Sequence, residues 1–504
     1  MIGENEVAII LGEPAYPTDP PYSPTEVFPE YPFGSFTDER GVNHAYSAVR
    51  AALKALQLDA SSYEHPQWNP LGALIGPGDT VVVKPNFVRD FTESGFVDAE
   101  CLIAHGSVIR AVVDYVFIAL QGHGRIVIAD APQNDADFAV IRRITGIDEI
   151  QRFYGDSGHF NIDVYDLRQE RAHKVDGVIV GHAPLTGDPK GYARVDLGRS
   201  SALAEISHLC HLLYGAEYDT GGLRKHHHAD THEYLISGTV LNADVVISVP
   251  KLKTHKKVGL TVNMKNLVGI NGDKNWLPHY REGTPSQGGD QFPTDGMRRK
   301  VERAVVTSFK RWFPLLGGLR PLIARPAKGI GKRLFGDTNR GTTRSGNWYG
   351  NDTAWRMVLD LNRILFYADR DGRLHDRPVR KFLSIVDGIV SGEGKGPLDP
   401  TPKPTGVVLA GINPVAVDLA CARVMGFDYR RIPLLFRALA DHPLRLAAFG
   451  FEDVVARSND QRFDGPLAEM RGPLLDFEPH FGWKGHIEIG ESTTTDERGT
   501  PCVG

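Results

Sequence analysis

ADVVISVPKLKTHKKVGLTVNMKNLVG, residues 243–269, runs from a continuous apolar segment straight into five lysines. An apolar, β-branched run punctuated by Pro250 reads as a strand buried on both faces of a parallel sheet. If the strand continues past Pro250, Lys251, Lys253 and His255 share one side and Leu252 takes the other. Gly259 permits a bend, and a helix is expected to begin near Leu260. It would place Lys265 and Gly269 on one face and set Asn263 beside Asn266. Asparagine is a poor residue for a helix interior, so two of them with a lysine read as donors kept for a ligand. Ammonium and amide N–H groups together suit phosphate or carboxylate oxygens. A solvated basic loop is the competing reading.

Working outward, the same strand shape recurs. GDTVVVKPNF ends at Lys84 with Asn86 just beyond, and GRIVIADAP ends at Asp130. RKFLSIVDGIVSGEGKGP is expected to close a strand at Asp387 and open a glycine-rich loop carrying Glu393. PTGVVLAGINPVAVDLACARVMGF supplies a further strand and a helix containing Asp418. Apolar runs alternating with helical stretches predict an α/β protein with a mainly parallel, Rossmann-like sheet. Ligands of such sheets gather beyond the carboxyl ends of the strands, which is where the polar residues fall.

The expected organisation is an N-terminal arm and helix (1–75), a first core segment (76–270) and a basic insertion (271–378). A second core segment (379–430) and a C-terminal segment (431–504) complete it. Proline and aromatic density in residues 11–45 predicts an extended arm lying on the core, followed by a helix at Ala45–Leu56. Met297–Arg344 carries 13 Lys or Arg against two acids. Its helical spacing of Val301, Val305, Phe309, Trp312 and Leu316 predicts a basic amphipathic helix. That segment is either a solvated face or a peripheral contact with anionic lipid or an acidic partner.

Composition narrows the classes. Hydrophobic content of 41%, charge of 24% and net charge of −5 describe a globular chain with no general affinity for nucleic acid. Four dispersed cysteines form no CxxC, which argues against an iron–sulfur cluster and fits a reducing, cytoplasmic setting. No apolar window is long enough to span a membrane, and neither a P-loop nor a GxSxG elbow occurs. His228 and His232, four apart, would suit a metal if helical, but a histidine-rich surface turn is the preferred reading. Asp352 and Arg356 are spaced to pair on a helix, while the aromatics and amides around them also suit sugar or nucleotide recognition.

In this reading Lys84, Lys251, Lys253 and Thr254 bind the anion and Asn86, Asn263 and Asn266 orient it. His255 is the general acid/base, with Lys265 and Asp387 as further catalytic candidates. Asp130, Glu393 and Asp418 are candidate ligands for a divalent metal. An enzyme acting by acid/base or metal-assisted chemistry and a non-catalytic anion-binding protein share these lysines and both stay open.

VVVKPNFV, IVIADAPQND, the opening stretch, IVDGIVSGEGKGP and AGINPVAVDLACARVMGF occur in the order of the family catalogued as domain of unknown function 362, which the chain resembles over roughly residues 76–430. Many members carry ferredoxin-type cysteine clusters, which this chain lacks. The longer relatives it resembles, sharing the proline-rich arm, GNWYGNDT and GWKGHIE, are associated with surface-polysaccharide gene sets. That resemblance implies a sugar-derived anion as substrate and implies no particular reaction. A fainter similarity, to nickel-pincer lactate racemases, implies proton transfer with Lys265 and His255 in the lysine and histidine positions.

Overall fold

The computed structural model describes residues 3–34, 42–92, 100–156, 160–175, 178–215, 220–297, 343–472 and 474–490, with isolated positions between 298 and 342. The central sheet has eleven strands. They are β1 (Glu6–Leu11), β2 (Thr80–Pro85), β3 (Arg125–Asp130), β4 (Ile162–Asp166), β5 (Val245–Val249), β6 (Lys251–His255), β7 (Gly259–Thr261), β8 (Lys381–Glu393), β9 (Thr401–Gly411), β10 (Val455–Ser458) and β11 (Gly465–Pro466). The spatial order is β11-β10-β1-β9-β8-β5-β2-β3-β4, with β6 pairing the second half of β8, and β7 pairing β6. Strands β8, β5, β2, β3 and β4 are mutually parallel, and β9 and β1 extend the sheet antiparallel. The chain is thus an α/β protein with a mostly parallel sheet.

Burial on both faces explains the continuous apolar runs. Val81, Val83, Ile126, Ile128, Val245 and Ile247 face the core beneath helices α1 (His44–Ala55) and α2 (Gly106–Leu120). Val82, Val127 and Val246 face the opposite core, packed with α4 (Ala354–Tyr367) and α5 (Pro414–Met425). Between α2 and α4 in sequence lies the short helix α3 (Asn263–Asn266). Helix α4 falls within the span assigned to the basic insertion, yet nearly all of it is buried in the main core. Apart from isolated positions, the expected Met297–Arg344 helix lies outside the described residues. Among the described residues, no helix is long and apolar enough to cross a membrane.

Topology creates a crevice. From β2 the chain proceeds outward through β3 to β4, whereas β5, β8 and β9 build on the other side of β2. The strand order therefore reverses between β2 and β5, and their carboxyl ends flank the place where ligands of open α/β sheets bind.

One expectation is corrected. The glycine after Asp387 does not end the strand: β8 runs on to Glu393, with Asp387 in register with Lys251 of β6. His228 and His232 lie on the two arms of a small hairpin, His227–His228 and Thr231–Ser237, so the turn reading holds over the helical metal pair.

The arm meets the sheet at Gly12, whose N–H donates to Gly406 O of β9 at 2.8 Å, and through the Tyr16 hydroxyl. Tyr16 donates to Asp387 Oδ1 (2.5 Å) and accepts from Lys251 Nζ (2.7 Å) and Val390 N (3.1 Å), its ring stacked on His105 at 4.0 Å. Lys251 Nζ is 2.6 Å from Asp387 Oδ2, which also accepts from His105 N. Both charges are fully buried, so each depends on its partners being complete. Replacing Tyr16 by Phe removes a donor from the carboxylate and is expected to destabilise the fold by about 1–3 kcal/mol. A urea titration reads this as a lower midpoint at unchanged slope, and an unaltered midpoint would show the arm to be passive.

Candidate anion-binding site

The site rests on a buried ion pair. Lys84 ends β2 beside Asp130 of β3, and its Nζ donates to Asp130 Oδ1 (2.7 Å), Asn266 Oδ1 (3.0 Å) and Pro85 O (3.1 Å). All three ammonium protons are used. Asp130 Oδ2 accepts from Phe87 N at 2.9 Å, and Asn266 Nδ2 donates to Lys84 O and Ser248 Oγ, each at 3.0 Å. Asn266 thus bridges β2 and β5 across the reversal point. Gly269 closes over the pair: a Cβ there would lie 1.9 Å from Asp130 Oδ1 and 2.7 Å from Lys84 Nζ.

In front of this foundation lies a cavity of about 500 Å³, a size suited to a small metabolite. Its wall presents six lysines, Lys174, Lys253, Lys256, Lys257, Lys265 and Lys274, against one carboxylate, Asp130, already bound to Lys84. Several are held by the protein. Lys274 donates to the carbonyls of Ala131, Val268 and Asn271, and Lys174 pairs with Asp135 at 3.2 Å. Lys253 donates to Leu102 O, and Lys257 to Ser345 O with its ammonium 5.0 Å from the Tyr280 ring centroid. Lys265 differs: it makes no hydrogen bond or ion pair with any described residue. Burial pushes Lys253, Lys257 and Lys274 down to about 7, and burial with the neighbouring Lys84 pushes Lys265 down to about 8.

Two histidines on the same wall are fixed in opposite tautomers. His255 Nδ1 accepts from the backbone N–H groups of Lys257 (3.0 Å) and Val258 (3.3 Å), so Nε2 carries the proton. His279 Nδ1 lies 2.8 Å from Leu277 O, a pure acceptor, so it carries the proton and leaves Nε2 with a lone pair. Burial and nearby lysines keep both rings neutral, holding His255 well below its usual value and His279 at about 3. His255 therefore presents a hydrogen-bond donor at Nε2, the acid half of the general acid/base role expected of it. The lone pair belongs to His279.

The wall also carries acceptors without donors. Asn86 Oδ1, Thr261 Oγ1 and Asn347 Oδ1 are buried without hydrogen-bond partners, and all three residues line the cavity. The Asn86 orientation is determined, because its Nδ2 points to Asn266 Oδ1 (3.4 Å), which also receives Lys84. Buried polar atoms of this kind ordinarily have partners, so a fitting ligand brings O–H or N–H donors as well as negative charge.

Of the residues expected at the site, Asn86, Asp130, Lys253, His255, Lys265 and Asn266 line the cavity. Others are placed elsewhere. Lys84 and Lys251 are consumed in buried ion pairs, and Asp387 sits behind β6 with Lys251 and Tyr16. Thr254 Oγ1 donates to Gly394 O. Asn263 and Asp418 form a structural unit, Asp418 accepting from the N–H groups of Asn263 and Met264 and from Asn263 Nδ2. Burial raises Asp418 to about 7. Glu393 pairs with Lys403 at 2.9 Å. Asp130, Glu393 and Asp418 therefore answer to three different sets of partners. Among the described residues, no group of three or more His, Cys, Asp or Glu side chains is gathered to hold a metal. Asp352 and Arg356 do pair, at 3.1 Å.

An α/β fold with a lysine-walled cavity at its topological reversal is the class these features define. Residues 178–423, which include Lys253 through His279, match the family described as Domain of unknown function (DUF362). The chain is also similar to a thylakoid-associated protein of Synechocystis sp., at 22% identity over 259 residues, covering 51% of this chain and 55% of that protein. It thus spans little more than half the length of that relative. A crystal structure of a Thermotoga maritima protein aligns at 11% identity and a TM-score of 0.31, covering 75% of this chain and 58% of that one.

The lysines set an unusual pH dependence. Their folded values of about 7 to 8 lie below the 10.5 of the free side chain. Between those limits the unfolded chain binds more protons than the folded one, so stability rises with pH. Urea midpoints for the empty protein are expected to climb from pH 7 to about 9.5, short of the tyrosine range. A flat or falling profile over that window would show that these ammonium groups are not buried.

Proposed function

We propose that the chain is an enzyme that binds a small, hydroxyl-bearing polyanion, phosphorylated or carboxylated and sugar-derived, and moves a proton on it. The observation that carries this reading is the cavity wall itself, where lysines outnumber carboxylates and orphaned acceptors stand among them. Lys253 and Lys257 would take the anionic oxygens, because an ammonium poised near neutrality becomes fully charged once an anion arrives. Asn86 Oδ1 and Thr261 Oγ1 would accept from substrate hydroxyls. His255 Nε2–H would donate to a carbonyl or hydroxyl oxygen, and His279 Nε2 would receive a proton.

Proton transfer is favoured over metal-assisted transfer by the side chains present. The three carboxylates considered as metal ligands have separate partners, whereas both histidines and Lys265 share one wall. The sugar-derived character accords with the resemblance to longer relatives associated with surface-polysaccharide gene sets. The dispersed cysteines accord with work in the cytoplasm. Anionic-lipid contact through Met297–Arg344 is no part of this reading.

Calorimetric titration tests it, with inorganic pyrophosphate and sugar phosphates near pH 7.5 in buffers of differing ionisation enthalpy. The expected result is saturable binding with net proton uptake, since bound anion raises lysines that are partly neutral in the empty site. Lys257→Met should weaken binding about tenfold or more, as loss of a charge-assisted hydrogen bond of about 1.5–3 kcal/mol implies. Binding without proton uptake, or indifference to Lys257→Met, would place the anion elsewhere.

A further inference from the structure

Lys265 is the lysine of this wall that makes no hydrogen bond or ion pair with any described residue. Lys253, Lys257 and Lys274 are drawn against carbonyl oxygens, Lys174 against Asp135, and Lys84 behind them is saturated. Lys265 nevertheless stands in the same buried cavity. It projects from α3, whose position is set by Asp418 at the backbone of Asn263 and Met264 and by Asn266 on Lys84 O. That is a rigid mount for an amine left unbound. A lysine meant only to neutralise phosphate needs no such mount, because point-charge contacts tolerate a flexible stem.

Its neighbours complete a chemical set. His279 offers a lone pair at Nε2 and His255 a proton at Nε2, each fixed by a backbone contact rather than by chance of titration. Lys265 is among the groups that hold both rings neutral, which sets the three side chains within electrostatic reach of one another. An unbound amine, a proton acceptor and a hydrogen-bond donor around one cavity are what addition to a carbonyl requires.

We propose that Lys265 forms an imine with the carbonyl carbon of an aldehyde or ketone substrate, which makes the ligand class of the site a phosphorylated or carboxylated carbonyl compound. This rests on the anion-site reading. The Nζ lone pair attacks the carbonyl carbon, and the C=O π pair moves to oxygen, which His255 Nε2–H steadies. A proton passes from Nζ to His279 Nε2 and on to that oxygen, giving the carbinolamine. The C–O bond then breaks, the oxygen leaves as water after taking a second proton from solvent, and the nitrogen lone pair forms C=N, leaving the imine protonated. No oxidant, reductant or metal is consumed. The protonated imine withdraws electrons from the adjacent carbon, so a proton there becomes acidic, which links the adduct to proton transfer. Because Lys265 sits at about 8 rather than 10.5, its neutral fraction near pH 7.5 exceeds that of a surface lysine on the order of a hundredfold.

The test is reductive trapping on the full chain with pyridoxal 5′-phosphate, an aldehyde that carries a phosphate. Cyanoborohydride fixes the adduct, and peptide mass spectrometry locates it. The expected result is one adduct per chain at Lys265, formed faster as pH rises through 8 and suppressed by inorganic pyrophosphate. Lys265→Met should lose that adduct while retaining the circular dichroism spectrum. Labelling spread over Lys253, Lys257, Lys274 and surface lysines, or unchanged labelling in Lys265→Met, overturns the proposal even if the variant folds poorly, because the wild-type map stands alone. Pyrophosphate bound without any Lys265 adduct refutes the imine and leaves the anion site. Failure of pyrophosphate to bind wild type refutes the anion site itself.

Discussion

Everything at this site hangs on the ammonium of Lys84 being buried where the strand order reverses. A charge with no exposure is stable only when each of its protons has an acceptor and its counter-charge is equally complete. Asp130, Asn266 and Pro85 O meet the first condition, and Phe87 N with the Lys84 ammonium meets the second. The pair ties β2 to β3, Asn266 ties both to β5, and Gly269 leaves the clearance they need. The back of the cavity is therefore a closed polar network, rigid and without capacity for a ligand. The same logic recurs at Lys251 and Asp387, where Tyr16 of the arm completes the set.

The consequence is a division of labour among the lysines. Those behind the wall hold strands together, some at the wall are tethered to carbonyls, and Lys265 is untethered. Gathering this many cations around a cavity with one committed carboxylate opposes the charged state of each. Such an arrangement carries a cost in stability, which on the proposed reading is offset when an anion fills the cavity. The orphaned oxygens of Asn86 and Thr261 extend the argument from charge to shape, since an anion without donors would leave them unsatisfied.

Much of the frame was legible in the sequence. TVVVKP, RIVIAD and VVISV read as doubly buried strands because the physics of a covered parallel sheet leaves no other use for such runs. Their polar termini then pointed to the crevice. What was illegible depends on contacts between distant segments. Asp387-Gly388 looks like a turn, yet β8 continues because β6 and β9 pair across it. His228 and His232 have helical spacing, but the chain turns at Ala229–Asp230 and pairs the arms instead. His279 carried no signal at all. Its loop is brought to the wall by Tyr280 pairing with Tyr214, and its tautomer is set by a carbonyl two residues away. Lys84 lies near the end of β2 and Lys251 just beyond β5, but spacing alone cannot tell a lysine that binds a ligand from one that a carboxylate has already claimed.

The central claim is that this cavity is an anion site, and native mass spectrometry of the chain purified at low ionic strength tests it most directly. The account expects about one small molecule per chain, released by high salt and bearing phosphate or carboxylate together with hydroxyl groups. A bare chain that also gains no mass when millimolar pyrophosphate or sugar phosphate is added would contradict it.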